Sequence, residues 1–381
     1  MKHNAEQPPP TVAARGGAIA SARSSPLWAV LALTWVTSFS AVTAMTGVYF
    51  LTEHSYGFSA TENVLLALLL GVSYTAGTVT VSRGMRVLKL ALPGISMRAT
   101  LAGLIVLLAA LCAVPALIQS RWAVWVFIGC YAPVTGWVWP TVEAFLAAGR
   151  SGADLRFATG RFNVSWASAG ILSAWALAPL LGHPQAVFGG LIGLHLLGAA
   201  FVAWFAPEAA PHGPAGADDS VDHVSPQKAA QLLRAFRCSL LASYAMLAAL
   251  SALLPFLMTK LGTPTAAKTP LWSVLLLTRL MAFAVLERWH GWHGKWKTWL
   301  WSTALAIGSC LACLFAANVQ ALGLALGALG VSFGAIYAAA LYYALEAGTP
   351  DVDAGGKHES FIGFGYILGP AIAYGAMLLL A

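Results

Sequence analysis

The chain has 381 residues, 59% of them hydrophobic and only 9% charged, against about 25% charged in an ordinary soluble domain. Water cannot solvate a fold with that much apolar surface, so a soluble globular class is excluded and a bilayer becomes the fitting solvent. The formal net charge of +7 would suit nucleic acid, but the basic residues are placed for a membrane instead.

Residues 1–26 pass through Pro8, Pro9 and Pro10 into Ala, Gly and Ser with no apolar core. That stretch reads as a disordered cytoplasmic tail and not as a cleaved secretory signal. Eleven windows of spanning length follow, at 27–51, 60–82, 96–119, 122–147, 160–181, 185–206, 236–259, 270–289, 298–316, 321–346 and 358–380. A spanning helix needs about 20 mainly apolar residues, and each window meets that length. The loops are short except at 207–235, a polar linker with Pro207, Pro211, Pro214 and Pro226 and the acidic cluster Asp218, Asp219 and Asp222. Its last part, Gln227 to Arg237, reads as a short amphipathic helix entering the seventh span.

If the tail is cytoplasmic and the spans alternate, 17 of the 21 basic residues fall on the inner side. Only Arg121, Lys260 and Lys268 fall in outer loops, and Arg279 lies within a span. This is a positive-inside distribution, and a missed or extra span would reverse every later loop and spoil it. The five cysteines lie in or beside spans. Cys310 and Cys313 form a C-x-x-C pair inside an apolar helix, where a free Cys packs as a small hydrophobe. No metal site and no cofactor is expected.

Two stretches echo each other. Trp139-Pro140-Thr141-Val142-Glu143-Ala144 in the fourth window has a counterpart in Tyr342-Tyr343-Ala344-Leu345-Glu346-Ala347 of the tenth, and both end in Glu-Ala. Two halves related by a parallel repeat would produce such an echo.

The segment from Gly77 to Arg86, between the second and third spans, resembles the G-x-x-x-D-R-x-G-R-R motif of the major facilitator superfamily. Gly77, Gly84 and Arg86 match, whereas Val81 and Ser82 stand at the acidic and following basic positions. The stretch from Gly47-Val-Tyr-Phe to Gly57-Phe-Ser-Ala-Thr-Glu62 also resembles the first outer loop of bacterial members. The resemblance implies an all-α membrane protein of two helical bundles around a central cavity. Residues 27–206 would form a six-helix bundle, 207–235 a cytoplasmic linker and 236–381 a five-helix bundle. The family has twelve spans, so the resemblance also implies that the peripheral twelfth is missing here.

A charge in the hydrocarbon is costly and marks a functional candidate. Arg279 and His195 lie nearest the bilayer centre. Arg279 is expected to face the cavity and contact solute, whereas His195, in the run Gly189-Gly190 to Gly198, is expected to pack. None of the 14 acidic residues is expected at mid-membrane. Glu143 and Glu346, near the inner ends of their spans, have Arg161 and Lys357 close in sequence. They read either as interfacial salt bridges or as paired latches of an inner gate. Trp137, Asn163, Trp166, Tyr244, Tyr337 and Tyr342, with Thr37, Ser38 and Thr43, lie on the helices that line the family's cavity, and would suit a neutral or weakly polar organic solute. Gly323, Gly327, Gly330 and Gly334 share one helix face and would let a neighbour approach closely. Gly365 to Pro370 reads as a packing and bending element. The tract from Trp289 to Trp301, with His290 and His293, reads as an aromatic belt with snorkelling lysines.

The expected function is a non-enzymatic, multi-pass transporter of the cell membrane that moves a small solute by alternating access. A lipid-acting membrane enzyme and a transport-derived sensor are the alternatives. The partners are the lipid bilayer and a small-molecule solute, with no nucleic acid. The charge distribution predicts that reporters fused after Gln227 and after Ala381 lie on opposite sides of the membrane. A cytoplasmic signal from both would contradict the eleven-span topology.

Overall fold

A computed structural model describes residues 24–150, 152–210, 224–347 and 352–380. Among these, eleven long helices carry the chain: α1 Leu27–Ser55, α2 Ala60–Ala91, α3 Met97–Leu117, α4 Arg121–Ala147, α5 Gly152–Leu177, α6 Pro184–Val202, α7 Pro226–Lys260, α8 Thr265–Arg288, α9 Trp296–Leu314, α10 Val319–Ala347 and α11 Val352–Leu380. Each apolar window lies on one of them. Nine are long and apolar enough to cross a membrane by length and composition, and α5 and α9, richer in polar side chains, fall short. Large apolar side chains such as Leu117, Phe315 and Leu324 are exposed on the helix exteriors, where lipid and not water is their proper solvent.

Several helices run past their hydropathy windows for a common reason. Charged residues lower hydropathy without breaking a helix, so the backbone continues until a true stop. Helix α2 therefore runs through Ser82–Ala91, which places Gly77, Gly84 and Arg86 inside a helix and corrects their expected position in a loop. The expected short helix at 227–237 is continuous with α7. Residues 1–23 and 211–223, which hold most of the expected tail and the acidic cluster, lie outside the described residues. At the start of α2, Ser59 and Glu62 form a capping box, which satisfies two backbone donors at once.

Two helical clusters meet in the middle of the molecule. In one, α1 packs on α5 and α6, α2 on α4, and α3 on α4 and α6; in the other, α7 packs on α10 and α11, and α10 on α8 and α9. They are joined where α2 lies along α11 and α5 lies along α8. Small residues set these approaches. A Cβ on Gly71 would stand 2.3 Å from the Tyr366 carbonyl oxygen, and one on Gly369 would stand 1.9 Å from that of Ala245. Gly77 meets Pro133 on α4 in the same way, so this motif glycine is a helix-packing position. Gly84 seats the Trp137 ring. Helix α1 is interrupted by a π turn at Thr43–Gly47, a distortion that often marks functional sites in helices.

The glycine face of α10 is uneven. Cβ atoms on Gly330 would meet Leu275 O and Thr278 Oγ1 at 2.1 Å, and on Gly334 would meet Ala282 Cβ at 2.7 Å and Arg279 O at 2.9 Å. On Gly323 the nearest atom is Leu271 Cδ1 at 3.4 Å. Gly330→Ala should therefore force α10 away from α8 and cost about 1–3 kcal/mol, read as a lowered melting temperature. Gly323→Ala should be near neutral, and equal losses would contradict close approach at Gly330.

Candidate functional site

The π turn and the two cluster-joining seams surround one cavity of about 150 Å³. Its wall draws on both clusters. Ser38, Met45 and Thr46 come from α1, Tyr74 from α2, Trp139 and Glu143 from α4, and Phe162 and Trp166 from α5. The other cluster supplies Tyr244 from α7, Trp272 and Arg279 from α8, Tyr337 from α10, and Glu359 and Tyr366 from α11.

Arg279 is 3% exposed and sits in an aromatic box. Its Cζ lies 4.7 Å from the ring centroid of Trp166, 5.1 Å from Tyr337, 5.6 Å from Tyr244 and 5.8 Å from Phe283. Nη2 donates to the Tyr244 hydroxyl at 3.1 Å, and Nε is buried without a partner. Insertion scales put a central arginine at a cost of roughly 2.5–3.5 kcal/mol. A desolvated cation–π contact contributes about 2 kcal/mol, so two or three of these faces offset the burial without a carboxylate. Trp166 is itself held, donating from Nε1 to Asn163 Oδ1 at 3.2 Å.

Two carboxylates, Glu143 and Glu359, line the same cavity. Glu359 is 6% exposed and accepts a short hydrogen bond from the Tyr74 hydroxyl. Helix α11 begins at Val352, so the residue lies two turns into the helix and four residues into its apolar stretch, Gly355–Leu379. Glu143 lines the cavity with no hydrogen bond or ion pair among the described residues. Arg161 and Lys357 are both exposed, and Arg161 lies over the Phe157 ring instead. The Glu346 side chain lies outside the described residues.

Arg279, Trp166, Tyr244 and Tyr337 thus come together, joined by Ser38. Three other candidates lie away from the wall. Trp137 donates to Thr80 Oγ1 at 3.2 Å on α2. Asn163 is buried behind Trp166, and Tyr342 stacks on His293 with centroids 4.2 Å apart. Within the tryptophan tract, Trp292 is buried and donates to the Leu286 carbonyl, so it packs the α8–α9 connection and is not a belt residue. His195 is fully buried, with Nε2 3.0 Å from the Tyr131 hydroxyl, well apart from the cavity wall.

The clusters touch on both sides of the cavity. Toward the end that carries the α1–α2 and α7–α8 turns, Lys268 Nζ lies 2.9 Å from both Glu53 carboxylate oxygens and 2.7 Å from Thr259 Oγ1. Lys268 was expected in an outer loop, but it lies within α8, and the side chains of the pair are 5% and 14% exposed. Trp175 Nε1 donates to Ser273 Oγ at 3.1 Å nearby. Toward the linker end, Gly160 lies against the Glu287 carboxylate, Gly355 against Glu143, and Gly356 against Val81.

No protein-family model matches the sequence, and no curated protein sequence matches it. Solved structures do. The crystal structure of the nucleoside transporter NupG aligns over 93% of this chain and 91% of its own, with a TM-score of 0.62 and 12% identity. That of the human organic anion transporter MFSD10 (TETRAN) aligns over 93% and 94%, with a TM-score of 0.64 and 13% identity. The major facilitator superfamily transporter FucP, in the outward conformation, aligns over 93% and 91%, with a TM-score of 0.57 and 14% identity. The chain therefore has the major facilitator fold and is a multi-pass α-helical membrane protein.

The ion pair at the turn end yields a test. Removing one partner of a buried pair costs about 3–5 kcal/mol, because the other charge is left unpaired. Glu53→Gln should lower thermal stability more than the double variant Glu53→Gln, Lys268→Met. A loss in the double variant equal to the sum of the losses in Glu53→Gln and Lys268→Met alone would show that the pair carries no coupling.

Proposed function

We propose that this protein is a transporter of the cell membrane that moves a small organic solute by alternating access. Its two bundles would hold six and five spans, with the N-terminus in the cytoplasm as the basic inner loops require. The observation that carries this reading is Arg279, a permanently charged side chain held in an intramembrane cavity between two helical clusters. The major facilitator fold supports it, because that fold carries the transporters to which the chain is similar.

The contacts on either side of the cavity supply the two closures that alternating access needs. Glu53, Lys268 and Thr259 close the end at the α1–α2 and α7–α8 turns. The approaches of α5 to α8 and of α4 to α11 close the linker end. Polar and small-residue contacts can separate and re-form without exposing a large apolar core, so rocking one cluster on the other would open one side at a time.

Arg279 would anchor an oxygen-bearing, anionic group of the solute. Its guanidinium keeps its charge at any physiological pH, and its aromatic box fixes the plane of the fork. Arg279→Met should abolish uptake into proteoliposomes while membrane insertion and elution behaviour stay as in wild type. Arg279→Lys keeps the charge but loses the planar donor pair, and should cut uptake by about tenfold. Wild-type uptake by Arg279→Met would show that the residue is structural.

A further inference from the structure

The cavity holds more ionisable chemistry than an anion anchor needs. Arg279 shares it with two carboxylates, Glu143 on α4 and Glu359 on α11. With all three ionised, negative charge exceeds positive by one, in a setting where unpaired charge is expensive.

The three groups differ in what still lacks a partner. Glu359 has the Tyr74 hydroxyl. Arg279 has Tyr244 on Nη2 and rings around its plane, but Nε is buried with nothing bound. Glu143 has neither hydrogen bond nor ion pair among the described residues. Across from it α11 presents Gly355, where a Cβ would stand 2.8 Å from Glu143 Oε2. The absent side chain leaves the carboxylate room beside the cavity. One cavity thus brings together a cation and a carboxylate, neither of which has an ion-pair partner among the described residues.

We infer that the solute is a small zwitterion, with a cationic nitrogen for Glu143 and an anionic group for Arg279. This rests on the transport reading of the same cavity. A sugar-like solute could hydrogen-bond to both groups, but it would leave the excess negative charge in place. A simple anion would satisfy Arg279 and add to that excess. A cationic nitrogen on the solute removes the excess and leaves the anion to the guanidinium. The size also sets a limit: a cavity of about 150 Å³ takes a single ring of benzene size.

Matched probes on the full-length purified protein test this. Proline, pyrrolidine and cyclopentanecarboxylate share a five-membered ring and differ in whether they carry both charged groups, the cationic nitrogen alone or the carboxylate alone. Phenylalanine, phenethylamine and 3-phenylpropionate do the same on a larger ring. Binding is read by calorimetry and by the shift in melting temperature. The zwitterion of at least one set should bind about tenfold more tightly than either singly charged relative. Glu143→Gln should remove that advantage over the anion, and Arg279→Met the advantage over the cation. Should either variant fail to fold, the ranking on wild type decides alone. Tightest binding of the anion, no binding by any of the six, or an unchanged zwitterion preference in a folded Glu143→Gln would overturn the inference. In the last case a proton, and not the solute, neutralises the site. Proteoliposome exchange of the bound probe separates the two readings. Binding with the expected ranking but no exchange would leave the zwitterion site standing and sink transport.

Discussion

A charge that cannot be discharged, buried away from bulk water, is the constraint on which the rest of this molecule depends. Arg279 keeps its proton, so its burial must be met by the protein around it. The protein meets it with faces and not with a counter-ion. Trp166 comes from α5, Tyr244 from α7, Phe283 from α8 itself and Tyr337 from α10. One ring thus comes from the opposite cluster, and the charge holds the two clusters to a common centre. The helix packing serves this arrangement. Gly330 and Gly334 bring α10 against the backbone of α8, at Leu275 and at Arg279 itself, and Tyr337 lies one turn further along α10. Asn163 is not part of the wall, yet it holds the Trp166 indole through Nε1.

A guanidinium without an ion-pair partner and two carboxylates, set among aromatic rings, give the cavity both polar and aromatic lining. Such a site binds by exchanging water for fixed partners, and its strength depends on how completely the solute satisfies the charged groups. The seams around it are of a different kind. They combine one buried ion pair with hydroxyl contacts, close backbone approaches and, at the turn end, the Phe50 and Trp272 rings. A ligand moves such an equilibrium only by binding one arrangement better than the other. The residues of both clusters that line the cavity are placed to sense that difference.

Much of the helical order is legible in the sequence, because apolar runs of spanning length have one physical meaning in a chain with so few charges. Arg279 is legible for the same reason, since a lone charge deep in an apolar run has to be accommodated. Other features leave weaker traces. Glu359 follows Lys357 and His358 and looks interfacial, and only the packing of α11 on α2 and α7 shows that it lines the cavity. Glu53 and Lys268 each read as loop charges until the helices bring them together across 215 positions of sequence. Trp137 and Tyr342 sit on the right helices but the wrong faces. Helices that are apolar nearly all round carry little periodicity to distinguish cavity, neighbour and lipid. The π turn at Thr43–Gly47 has no hydropathy signal at all, although it brings Met45 and Thr46 to the cavity wall.

The central claim is that one cavity is closed in turn from either end. Spin labels on a cysteine-free background test it most directly, with one pair at His54 and Lys260 and another at Leu90 and Lys297, all exposed positions. Pulsed dipolar spectroscopy should find two distance populations for each pair, shifting in opposite senses when solute is added. A single unchanging distance at both ends, with and without solute, would contradict alternating access.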